Sequence, residues 1–436
     1  MTHIAHPRWL SARSARLTAL AVATVVVAGP AQTQTLTQRV ANIADGRVQF
    51  HFPSREGSCG DGRNFMRITT SGSGGDFYGN WSNDASMPAC ARGPVRVLME
   101  RAARNVISLR VFVGPVAVTE GATDLGAVRP QEAADFLLSL AATAEGNVAQ
   151  GAIMPAAIAD SANIQAPLMA IARDQSRARE TRRSAISWLA RDGRVAATLS
   201  APLLSIATDE TDNQSVRQSA LRSLARLESG VGVPALIRLA SDREGGWTSR
   251  EALTALAQSG DPRSRDFLRQ IVQRAELPDE AMATTIRNLG TQYATAADVK
   301  VVRDAWPKLT GQRSQEAALS AVTEFGGAEN AKWLLALARD SGVLESSRRR
   351  AVTSAVRAGA RVSDLVALYN ATVDYQLKDA VIAALIQIDT REATDKLITI
   401  ARADESITAR KKAIAALGRS ADPRVKKELE AMTEKR

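Results

Sequence analysis

The sequence predicts a mainly α protein: a solenoid of about eight helix-pair repeats, preceded by a small β-rich domain stapled by one disulfide. Three observations predict it. First, an Ala-x-x-x-Leu element recurs from about residue 160 to the end, as Ala185 to Leu189, Ala220 to Leu224, Ala252 to Leu256 and Ala413 to Leu417, with looser copies ending at Leu289, Val322, Val356 and Leu385. Successive anchors are 35, 32, 33, 33, 34, 29 and 32 residues apart. Periods in this range mark stacked units that cannot bury their apolar faces alone. Second, alanine and leucine dominate the apolar residues and aromatics make up only 4%, which suits close-packed small helices rather than a β core. Third, both cysteines, Cys59 and Cys90, precede the repeats.

Residues 1–31 have the three-part layout of a secretory signal peptide: Arg8, Arg13 and Arg16, then the apolar run Leu17 to Ala28, then Gly29-Pro30-Ala31. A run of twelve residues is too short to cross about 30 Å of hydrocarbon as a helix, which argues against an uncleaved anchor. No cysteine lies near the cleavage point and no later segment approaches eighteen apolar residues. The mature chain is therefore expected to be periplasmic or secreted, without a transmembrane segment. In such a compartment two cysteines read as one disulfide, and closing that loop stabilises by about 3–4 kcal/mol.

Residues 32–125 do not repeat. Val48-Gln49-Phe50-His51-Phe52 alternates like a half-buried strand, with His51 opposite Phe50 and Phe52. Asn64 to Thr70 reads as another strand, and Ser71 to Gly75 as a flexible turn before Trp81, which is expected to pack near the disulfide. Val95 to Met99 and Val106 to Val113, bracketed by Gly93-Pro94 and Gly114-Pro115, predict a β-hairpin. Residues 126–160 turn helical: Pro130 suits a helix start, Ala133 to Ala141 is amphipathic, and Val148 to Ala159 continues as a second helix. This pair is expected to cap the array.

Residues 161–436 carry the repeats. The first helix of each reads Pro-Leu-x-x-Ile-Ala, as in Pro167 to Ala172 and Pro202 to Ala207, with Pro234 to Ala240 as a variant. Proline is expected in the first helical turn, where it costs no hydrogen bond. The second helix carries the Ala-x-x-x-Leu anchor, followed by turns such as Ser259-Gly260-Asp261-Pro262-Arg263. An acidic residue closes the first helix and a basic one opens the second eight residues later: Asp174/Arg182, Asp209/Arg217, Asp242/Arg250, Asp340/Arg348 and Asp404/Lys412. Between 264 and 325 the pattern departs, with Thr284-Thr285 in place of the alanine pair and Trp306-Pro307 ending a helix early.

Helix pairs of this length, with Pro-Leu in the first helix, Arg-x-x-Ala-x-x-x-Leu in the second and Asp-Pro-Arg turns, resemble HEAT repeats, closest to the short kind first recognised in phycobilisome lyases. The resemblance covers about 160–436. It implies an α-solenoid with a ladder of Asp and Arg through the inter-helix turns, each Asp accepting bonds from turn amides and from the Arg of its own or the next repeat.

The net charge is +10, or +7 without the three leader arginines, which by itself suggests anionic partners. The ladder absorbs much of it. Arg183, Arg349, Arg350, Arg410 and Lys411 are left over, with Glu180, Glu345 and Glu405 beside them, so nucleic acid is not expected. Deoxyhypusine hydroxylase resembles this repeat class but holds iron on His-Glu pairs; here His51 is the one histidine outside the leader, too few for such a centre. Bilin lyases resemble it too, yet act on cytoplasmic cargo. There is no Gly-x-Ser-x-Gly elbow. No catalytic residue, cofactor or metal is expected. The leading expectation is an exported scaffold that binds a protein partner in the cell envelope on the face lined by second helices, with Arg183, Trp247, Arg349 and Lys411 as contact candidates. Trp188 reads as core, and Trp247, after Gly245-Gly246, as loop-exposed. One alternative is that the β-rich domain binds a glycan or small ligand, with the solenoid as spacer. Another is a lyase-like or hydrolytic enzyme built on a carboxylate pair.

Overall fold

Seven strands and a short helix form the N-terminal part of the chain, and nineteen further helices follow among the described residues. The computed structural model describes residues 34–434 apart from 64, 70–75, 80–89, 116–117, 193–195, 292–293 and 421. The leader, the turn at 71–75 and Trp81 lie outside the described residues.

After α1 (Leu36–Ala41) come β1 (Gly46–Phe52), β2 (Ser58–Gly60), β3 (Phe65–Ile68), β4 (Asp76–Gly79), β5 (Val95–Ala102), β6 (Asn105–Val113) and β7 (Thr123–Ala127). One sheet has the order β6-β5-β1-β7 and the other β2-β3-β4. The expected hairpin is β5–β6, turning at Ala103-Arg104 with φ of 49° and 66°. Such a turn usually takes Asn-Gly. Here the Asp45 carboxylate accepts the amides of Ala103 and Arg104 at 3.0 and 3.2 Å, and these two bonds hold its carboxyl below the usual range. The Cα atoms of Cys59 and Cys90 are 5.2 Å apart in the expected disulfide. Beside it, Gly60 and Ala91 exchange amide bonds of 3.0 Å. A Cβ on Gly60 would sit 2.3 Å from the Val113 carbonyl, so only glycine lets β2 approach the end of β6.

Val48, Phe50 and Phe52 are fully buried while His51, on the opposite face, is half-buried. The buried face meets α2 (Pro130–Thr143) and α3 (Gly146–Ala157): Phe50 meets Phe136 edge-on, centroids 6.0 Å apart, and α3 lies along β6. Strand β7 straddles residues 125 and 126. The apolar core runs without a break from Leu36 to Val425.

Eight helix pairs follow. They are α4 (Gln165–Arg173) with α5 (Arg179–Leu189), α6 (Ala196–Thr208) with α7 (Gln214–Arg226), α8 (Val233–Ala240) with α9 (Trp247–Gln258), and α10 (Pro262–Arg274) with α11 (Asp279–Leu289). Then come α12 (Ala296–Ala305) with α13 (Gln312–Phe325), α14 (Ala328–Arg339) with α15 (Glu345–Arg357), α16 (Val362–Ala371) with α17 (Tyr375–Ile388), and α18 (Arg391–Ala403) with α19 (Ile407–Leu417). Helix α20 (Pro423–Glu434) is the last among the described residues. Successive second helices pack more closely than successive first helices, so the second helices form the inner layer.

Seven of the eight anchors are buried to within 1% of full burial, but Val356 is half-buried and Ala355, one residue earlier, is the core residue. Pro202 also departs from expectation: α6 begins at Ala196, which puts the proline mid-helix rather than in the first turn. Thr285 is fully buried because its hydroxyl donates back to the Ala281 carbonyl at 2.9 Å.

The ladder requires a correction. None of the five expected pairs is bonded together. Asp174, Asp209, Asp242, Asp340 and Asp404 each accept an amide two residues ahead, from Ser176, Thr211, Glu244, Gly342 and Ser406 at 2.9–3.1 Å, and so close their own turns. The arginines do something else. In Arg182, Arg217 and Arg348 the Nε donates to a carbonyl ten residues earlier, at Ala172, Ala207 and Ala338, at 2.9–3.2 Å. The rest of each guanidinium reaches the next repeat: Asp212 at 2.6 Å, Thr248 at 2.9 Å and Asp374 at 2.9 Å. Arg250 bonds instead to the Gly245 carbonyl, and Lys412 pairs back with Asp379. The physical reason is helix-end chemistry: a first helix leaves carbonyls unpaired at its C-terminus, and a second helix favours an anion at its N-terminus.

Two predictions follow from these buried carboxylates. The side chains of Arg182 and Asp212 are 4% and 3% exposed. Removing one partner strands a buried charge, so Asp212→Ala should lower the urea-unfolding free energy by about 3–5 kcal/mol, whereas Asp174→Ala, at an exposed turn, should shift the midpoint far less. At Asp298, burial pushes the carboxyl up, but donors from Arg265, Thr295 and Arg269 outweigh it and hold the pKa at about 2. A depressed folded pKa contributes stability that is whole above the unfolded value of about 3.9 and is lost as pH falls to about 2. In urea titrations across that window, Asp298→Asn should remove part of the acid-side slope, about 2 kcal/mol or less.

Candidate functional site

One groove lies on the inner layer next to the sheet. Here α3, α5 and α7 line an open groove of about 610 Å³. Helix α3 is exposed on this side because its other face is held by β6, and its sequence, Gly146 to Ala157, contains no charged residue. Helices α5 and α7 contribute six arginines against one glutamate, Glu180. Two of the six, Arg182 and Arg217, belong to the ladder. Arg183 and Arg179 share Glu180, at 3.0 and 3.2 Å. Arg222 is half-buried with an unbonded Nε, Arg226 is exposed, and neither has an ion-pair or hydrogen-bond partner among the described residues.

The floor is built of small polar residues because the second helices need small side chains where they stack. Ser184, Ser187 and Ser219 are half-buried along it. Trp188 is 6% exposed, as expected for core, and the Arg191 guanidinium lies 4.7 Å from its ring. A shallower depression of about 490 Å³ continues past Arg183 and Gln218 to Trp247.

Of the four contact candidates, the structure brings Arg183 and Trp247 to this continuous surface and leaves the other two elsewhere. Trp247 is not loop-exposed: it is the first residue of α9, half-buried, with Arg217 4.8 Å from its ring. Arg349 is exposed on α15, 3.8 Å from Glu345, and Lys411 is exposed on α19. The sequence reading missed Arg222, Arg226 and the serines. The signal was there in the acid-free run from Gln214 to Arg226.

A second cavity, of about 650 Å³, lies in the β-rich part between His51, Arg55, Ser58 and Pro94. The buried Nδ1 of His51 and Oγ of Ser58 make no hydrogen bond there. Among the described residues, no group of three or more His, Cys, Asp or Glu side chains is placed to hold a metal ion, and no helix is long and apolar enough to cross a membrane.

No curated protein matches the chain. Residues 200–284 match the family model described as HEAT repeats, a stretch that begins in α6, which follows the ladder arginine Arg182, and ends in α11. The chain therefore contains HEAT repeats at 200–284, within an array of eight helix pairs stacked through one core.

Proposed function

We propose that this chain is an exported, non-enzymatic scaffold that binds a protein partner in the cell envelope through the inner layer of its solenoid. HEAT repeats generally mediate protein–protein interaction, and a fold by itself does not choose the partner. The observation that carries the reading is the groove over α3, α5 and α7, where side chains with unused hydrogen-bonding groups line a concave surface. The ladder arginines Arg182, Arg217 and Arg348, by contrast, are used in holding helix ends. The leader-like segment at 1–31 supports export.

The β-rich cavity favours a second reading, in which that part binds a small ligand and the array is a spacer. The two readings separate by photocrosslinking in intact cells. With p-benzoylphenylalanine installed at Ser187, a protein adduct is expected. Installed at Ser205, on the outer helix α6, it should give none. A chain that yields no adduct from Ser187, while a probe at Arg55 is protected by a bound small molecule, would sink the scaffold reading.

A further inference from the structure

We infer that the groove takes an acidic, extended peptide segment of the partner, a step that rests on the scaffold reading. The charge balance argues for the acidity. The groove is lined by four arginines, Arg183, Arg191, Arg222 and Arg226, and one acid, Glu180. Arg222 and Arg226 lie four residues apart on one face of α7 and have no partner among the described residues. Arg183, across the groove on α5, shares its one glutamate with Arg179. A guanidinium half-removed from water and without an anion is costly, and a carboxylate restores what it lost with a charge-assisted, often bidentate bond.

The floor argues for the extended form. Ser184, Ser187 and Ser219 lie along the groove with side chains short enough to let a backbone approach, and each hydroxyl both donates and accepts. They match the amides and carbonyls of a chain that has not used them in a helix of its own. A helical partner would need an apolar trough for its stripe of side chains, and Met154 with the edge of Trp188 gives too little of one. The neutral helix α3 completes the wall with no carboxylate to repel the ligand.

The test uses the whole mature protein and a fluorescein-labelled ten-residue oligoglutamate, followed by fluorescence anisotropy at low and at physiological salt. The oligoglutamate should bind, an oligolysine of the same length should not, and added salt should weaken the complex. Arg222→Glu combined with Arg226→Glu should lower affinity at least tenfold. Arg226→Glu alone, at an exposed position, should lower it several-fold with an unchanged thermal midpoint. Absence of oligoglutamate binding, equal binding by wild type and the double variant, or binding of phosphatidylglycerol vesicles through these arginines in place of the peptide would each overturn the inference. A Ser187 crosslink to a partner in a protein that ignores oligoglutamate would remove the acidic-peptide assignment alone and leave the scaffold reading standing.

Discussion

The array depends on how the start of each second helix is held by the repeat before it. The first amides of a helix lack internal partners and carry partial positive charge, so a carboxylate placed there is stabilised twice. Asp374 accepts the amides of Gln376 and Leu377 in its own helix and the guanidinium of Arg348 from the preceding repeat. Asp212, one residue before the N-cap Asn213 of α7, accepts the Asn213 amide and the guanidinium of Arg182 from the preceding repeat. Asp279 performs it in reverse, reaching forward to the amides of Arg313 and Ser314, and a Cβ on Gly311 would stand 1.9 Å from its Oδ1. Each arginine is also fixed at its other end to a carbonyl of its own first helix. One side chain thus joins three helix termini, and the angle between repeats follows from rigid parts. A buried pair adds little net stability over an apolar one, so its consequence here is register.

A stack held this way has two ends, and each must hide an apolar face. The chain meets the two ends differently. At the N-terminal end the sheet lays Val48, Phe50 and Phe52 against α2, so strands replace the missing neighbour. After the eighth pair, α20 runs for 12 residues, half of them charged, with Val425 buried. Arg424 on that helix crosses to Asp395 at 2.7 Å, and Arg402 pairs with Glu428. The disulfide sits on the sheet side, where the second, small sheet has little core of its own to hold it.

The period was legible because it is written in buried alanine and leucine, which tolerate few neighbours at helix–helix contacts. It slipped by one at Val356, where two adjacent apolar residues fit the pattern equally and packing selects Ala355. The ladder was legible as composition and illegible as pairing. An eight-residue separation inside one repeat looks like a bond, whereas the acceptors lie 26 to 31 residues on, in the next repeat. Repeat lengths that vary from 29 to 35 residues leave no fixed spacing to read. The groove was hidden for a related reason. Arg183 was visible with Glu180 beside it, but that three successive inner helices together hold one acid appears only once α3 is known to be the first of them.

That locality also changes what the net charge means. A surplus of +10 spread evenly would favour any polyanion. It is not spread evenly. In the last repeats some basic residues are matched across helices, as Lys412 with Asp379 and Arg424 with Asp395, while Arg410, Lys411 and Arg419 have no ion pair among the described residues. Neighbouring helices stand about 8–10 Å apart, which is also about one screening length in physiological salt. An acid two repeats away therefore does little for Arg222, and the positive potential of the first inner helices survives whatever the rest of the array carries. A segment of a few carboxylates is satisfied where it lands, against Arg222 and Arg226. A short acidic chain is enough to answer the charge gathered in this groove.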